Sequence, residues 1–160
     1  MTYLLHLLQN VEKTIDVIRN TKDSNELQYA VSGVGGDRGC AIQLIADFSC
    51  STVEQLIKWD EDDVFNSLKV RLRPYRTVSS AIAICKAAKS SGWSLIIGAD
   101  ENCPDTLDTF LADFAVGVGA SQLAPGSMDS GEGCSKLNRL LEISRENDNS
   151  ISFVGRSFRT

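Results

Sequence analysis

Residues 108–126 read DTFLADFAVGVGASQLAPG. Phe110, Leu111, Phe114 and Val118 recur at helical spacing, Asp105 just upstream supplies a cap, and a glycine break leads into a short strand at 121–123. A helix handed directly to a strand is the grammar of an α/β protein. In such folds the carboxyl end of a strand faces the ligand. Here that end carries Ala124 and Pro125, whose side chains neither give nor take a proton. The position is that of a site, yet nothing reactive stands there.

The same grammar extends in both directions. Residues 93–97 form a strand, and 77–91 a helix with Val78, Ile82 and Cys85 inward, ended by Gly92. Residues 66–73 alternate, with Leu68, Val70 and Leu72 on one face and Lys69, Arg71 and Arg73 on the other, until Pro74 stops the strand. Ser51 and Glu54 form a capping box for a helix running through Leu56, Ile57 and Trp59 into the acidic turn at 60–63. Residues 40–47, CAIQLIAD, are a buried strand ending in Asp47. Downstream, 135–145 form a last helix with Leu137, Leu140, Leu141 and Ser144 along one side. Four strand–helix units, each long enough for a crossover, predict a parallel sheet. The sheet belongs either to an open doubly wound fold or to a (β/α)8 barrel. A full barrel takes about 250 residues, so four units make half of one.

Residues 1–39 differ. Leu4, Leu8, Val11, Ile15 and Ile18 draw an amphipathic helix, read as packing on its own domain or binding a partner, and VSGVGGDRG (31–39) reads as a flexible connection. Gly33, Gly35 and Gly36 lack the lysine and hydroxyl of a phosphate loop. The expected organisation is therefore 1–39 as helix and connection, and 40–160 as the barrel-like region.

Composition narrows the partners. The 160-residue chain carries a formal charge of −5, which gives no net attraction to nucleic acid. No apolar run approaches the ~20 residues of a membrane span, and the early leucines lack the basic flank of a signal peptide. A cytoplasmic protein is expected. Five cysteines without a CxxC pair, beside the single histidine His6, make no zinc pattern and read as buried free thiols.

Four stretches in one order, ICKAAKSSGW (84–93) with its GW pair (92–93), DTFLADFAVGV (108–118), LNRLLEISRE (137–146) and FVGRSFR (153–159), resemble the carboxyl-terminal part of enolases. The resemblance runs from about Cys40 onward and implies the last strands and helices of the enolase barrel. It also implies a reaction, the dehydration of 2-phosphoglycerate to phosphoenolpyruvate. There a base lysine removes a carbon-bound proton, and two magnesium ions stabilise the anion. Carried over position by position, little of that machinery is present. The base lysine follows a Gly-Gln-Ile strand in the family, and Ala124 stands at its place. A serine-histidine-arginine-serine stretch that anchors phosphate becomes Gly98, Ala99, Asp100 and Glu101. Asp47 falls on a metal-binding aspartate and Lys69 on the second active-site lysine. Arg71 and Arg73, beside Lys69, are candidates for anion binding, with charges at a solvated strand end balanced by the acidic turn as the plainer alternative.

The expectation is an enolase-like pseudoenzyme acting as a structural or interaction module, with no cofactor of its own. Its open barrel edge would be covered by the Leu4–Ile18 helix, a second copy or another protein. Family paralogues with decayed sites occur in cytoskeletal and ciliary assemblies. The alternative is a magnesium-dependent phosphopyruvate hydratase, active when another chain supplies the missing half.

Overall fold

The computed structural model describes residues 43, 45–46, 52–61, 65–99, 106–146 and 151–155. Among these residues four strands and four helices alternate: β1 (Ile45–Ala46), α1 (Val53–Glu61), β2 (Ser67–Arg71), α2 (Val78–Ser90), β3 (Ser94–Gly98), α3 (Phe110–Gly117), β4 (Gln122–Ala124) and α4 (Gly131–Glu146). The strands pair in the order β1-β2-β3-β4, every pair parallel. This is the α/β strand–helix repeat of half a barrel, and the described sheet is open.

Side-chain alternation divides the sheet into two faces. Ala46, Leu68, Val70, Leu95 and Ile97 meet Ala81, Ile84, Cys85, Ala88, Leu111 and Phe114 in one apolar core between sheet and helices. The opposite face presents Ser67, Lys69 and Arg71 beside Ser94, Ile96 and Gly98, then Gln122 and Ala124. In a closed barrel this second face is the interior.

The turns that carry α2 into β3 and α3 into β4 are built alike. Gly92 (φ +79°) and Gly119 (φ +65°) each take the left-handed conformation just beyond a helix end. After α2, Trp93 N–H donates to Ala88 O and Gly92 N–H to Lys89 O, both at 3.0 Å. After α3, Ala120 N–H donates to Ala115 O at 2.9 Å and Gly119 N–H to Val116 O at 3.0 Å. These are Schellman closures, which satisfy the last helical carbonyls and release the chain sharply into the next strand.

Several details differ from the sequence reading. The cap of α1 is Thr52, whose hydroxyl accepts from Gln55 N–H at 3.3 Å; Thr52-x-x-Gln55 offers the same pattern one residue later than Ser51 and Glu54. Strand β2 ends at Arg71, because Tyr75 N–H folds back onto Leu72 O at 3.1 Å to open a turn. Strand β4 lies one residue further on than 121–123. On α2 the buried stripe is Ala81, Ile84, Cys85 and Ala88, while Val78 is 46% exposed. Small alanines let α2 approach the sheet closely, and apolarity alone did not mark them as the inner face. On α4 the buried residues are Gly133, Lys136 and Ile143, and Leu141 faces out. Helix α3 begins at Phe110, with Asp108 Oδ1 accepting from Phe110 N–H at 2.8 Å. Asp105 lies outside the described residues.

Candidate strand-end site

The carboxyl ends of β2, β3 and β4 form one row across the interior face. Register aligns Arg71 with Gly98, and Gly98 with Ala124. One step back, Lys69 stands opposite Ile96, which is opposite Gln122. The Lys69 side chain leans from this inner row toward the strand ends: a methyl group added to Gly98 would stand 2.9 Å from Lys69 Cε. Glycine at 98 therefore leaves the space that the lysine stem fills. Both Lys69 and Arg71 are half-buried.

Of the sequence-predicted residues, Lys69 and Arg71 are thus brought together on one face. Arg73 is not with them; it lies beyond the strand in the turn and is exposed. Asp47 lies outside the described residues, as do Asp100 and Glu101. Cys85 is a buried free thiol, as read, and burial pushes its pKa up to about 11, so it is neutral and unreactive near pH 7. Cys134 is exposed, contrary to that reading, because it projects from the outer side of α4. Cys40, Cys50 and Cys103 are outside the described residues.

At the amino ends of the strands, the interior face holds a polar layer that no motif signalled. The hydroxyls of Ser67 and Ser94 are 2.6 Å apart and buried. Gln43 Nε2 donates to both, at 2.9 and 3.2 Å, and Gln122 Nε2 donates to Gln43 Oε1 at 3.1 Å. Ser67 in turn donates to Asn66 Oδ1 at 3.1 Å, which makes Ser94 the donor within the serine pair. Side chains of β2, β3 and β4 and of the segment just before β1 are laced together here, which fixes register. Its only trace in the sequence is a polar residue at or just before the start of each strand.

A second missed residue is Lys136, buried to 3% exposure on α4. Its ammonium donates to Thr106 O at 2.8 Å and Glu132 O at 3.1 Å, tying the segment before α3 to α4. Carbonyl oxygens satisfy the charge, the condition for burying a cation.

Chemically, the described strand ends offer two cations, a glycine and an alanine. No carboxylate stands among these four residues. Among the described residues no three His, Cys, Asp or Glu side chains stand together. A magnesium ion requires oxygen ligands, and the described residues at this row do not supply them.

With the geometry established, comparison with known families is direct. The model for the enolase C-terminal TIM barrel domain matches residues 6–160. The chain belongs to the enolase family. The match reaches 34 residues upstream of Cys40, into a stretch on which the quoted motifs are silent. Among similar proteins, the enolase of Malacoplasma penetrans is 31% identical over 122 residues, 76% of this chain and 27% of that protein. Enolase B of Dictyostelium discoideum is 31% identical over 128 residues, 75% of this chain and 28% of its own length. The enolase-like chain thus spans little more than a quarter of the relatives it matches. Among the described residues, no helix is long and apolar enough to cross a membrane.

Proposed function

We propose that this enolase-family chain is a barrel half without a working site, serving as a structural or interaction module. The observation that carries this reading is the row Arg71–Gly98–Ala124. Two of its three strand ends have no side chain able to move a proton or bind a metal. Loss of a general base alone costs on the order of 10²–10⁴ in rate. The described residues of that row supply no oxygen ligands for magnesium, and without the metal the carboxylate-enolate that the family's reaction forms has no counter-charge of the needed strength.

The module reading also draws on the sheet. Among the described residues β4 pairs on one side only, with β3. An unpaired strand edge is a template for another chain. A protein partner or a second copy would complete the interior, in a cytoplasmic assembly of which cytoskeletal and ciliary structures are the family's examples. Isothermal calorimetry with magnesium and 2-phosphoglycerate tests the site. The expected result is no saturable heat, and stoichiometric binding would refute the reading. Size-exclusion chromatography with light scattering tests the edge; a compact monomer over a wide concentration range would argue against an obligate partner.

The alternative, a phosphopyruvate hydratase completed by another chain, draws on Lys69 and Arg71 standing together on the interior face. It requires the second chain to bring every metal ligand that Asp47 does not.

A further inference from the structure

On the outer side of the sheet, α2 and α3 leave a groove of about 560 Å³ between them. Ile82 and Cys85 of α2, with Phe114 and Val118 at the α3 side, make its apolar floor. Lys86 and Lys89 stand on its rim, and no carboxylate lines it among the described residues. The two helices follow parallel strands, so their amino ends lie together. At that end, one turn before Ile82 and Phe114, Val78 and Phe110 are 46% and 43% exposed, and the Phe110 and Phe114 rings are 6.0 Å apart. The groove is therefore graded: exposed apolar side chains at one end, two ammonium groups at the other.

The lysines are differently engaged. Lys89 Nζ donates to Val118 O at 3.3 Å and Gly119 O at 3.4 Å, countering the negative end of the α3 dipole and bracing the two helices. Lys86 is exposed on the neighbouring turn and forms no ion pair among the described residues. A cationic rim over an apolar floor, on a chain of net charge −5, runs against the chain's own charge and selects the sign of what lies there.

We propose that this groove docks an amphipathic helix of a partner protein, its apolar face on Ile82 and Phe114 and its acidic end over Lys86. Helix-in-groove recognition of this kind reads apolar anchors at i, i+3/i+4 and i+7. Thirteen-residue α2 offers a seat of about 20 Å for them. The surface is remote from the strand ends, so the inference goes beyond the proposed function and holds whether or not the chain turns over substrate.

The test uses the full 160-residue chain and a fluorescein-labelled helical peptide with leucines at those spacings and three glutamates at one end. A sister peptide carries lysines in place of the glutamates. Anisotropy is expected to show saturable binding of the acidic peptide, weakened about tenfold by Lys86→Glu, with the basic peptide then gaining affinity. Lys86 is exposed, so its substitution leaves the fold intact; an unchanged thermal midpoint checks this. Ile82→Asp should abolish binding of both peptides. Equal binding of both peptides to the unmodified chain, indifference to Lys86→Glu, or no saturation up to about 1 mM would each overturn the proposal. So would displacement of the acidic peptide by dodecanoate at equal concentration, which would assign the groove to a lipid. Concentration-dependent dimerisation abolished by Lys86→Glu would assign it to a second copy.

Discussion

Gly133 and Gly117 show how differently two helical glycines behave. A methyl group on Gly133 would overlap the carbonyl oxygen of Ser127, a backbone atom that cannot turn aside, whereas a methyl on Gly117 meets nothing within 4 Å. Gly133→Ala should therefore cost about 1–3 kcal/mol through overpacking. Gly117→Ala should add about 0.5–1 kcal/mol through helix propensity. Urea midpoints moving in opposite directions would check both. Cys85 gives a pH prediction. Its folded pKa, raised by burial to about 11 from 9.0, means that the unfolded chain ionises first. Stability from this residue is complete below pH 9.0 and is lost as pH rises toward 11. The thermal midpoint of the unmodified chain should fall more steeply across that window than that of Cys85→Ala. A thiol reagent at pH 8 should label Cys134 and leave Cys85 untouched in the folded chain. At this scale the sequence spoke unevenly. Ala124 was visible as an unreactive residue at a strand end, but its row with Arg71 and Gly98 exists only through pairing between strands, which no single stretch records.

At the scale of elements, the strand and helix order was legible because its punctuation is chemical. Gly92 and the second glycine, Gly119, are placed where a left-handed residue must close a helix, and Thr77 accepts from Ser80 N–H at 3.1 Å to open one. The faces of the helices were less legible. The inner stripe of α2 is half alanine, and that of α4 includes Lys136, so hydrophobicity rotated both faces away from the true contact. Pairs between elements give a sharper test. Trp93, buried at β3, donates its indole N–H to Asp60 Oδ1 at the end of α1, at 3.0 Å, and stacks at a tilt on Phe65, 6.1 Å away. Asp60→Ala leaves that buried donor without its partner and should cost about 1–3 kcal/mol, read from chemical denaturation. Arg139 of α4 meets Asp113 of α3 at 2.9 Å, with Glu142 and Glu146 on its own helix. Because these groups are solvent-accessible, the loss of thermal stability in Arg139→Ala should shrink as salt is raised.

Across the described residues the sheet carries a core on its helical face and a mixed interior face with two cations, Lys69 and Arg71, the division a barrel imposes on each of its halves. The core between sheet and helices is well packed, with Leu68, Val70, Ile97 and Leu56 fully buried. Packing and chemistry therefore lie on opposite faces: the side chains facing the helices build the core, and under the proposed function the strand ends at Gly98 and Ala124 carry no group able to move a proton. The most direct measurement is the formation of phosphoenolpyruvate from 2-phosphoglycerate by the purified chain in saturating magnesium, run beside Lys69→Ala. No turnover above the buffer rate in either protein is the predicted result. Turnover by the unmodified chain that disappears in Lys69→Ala would contradict it.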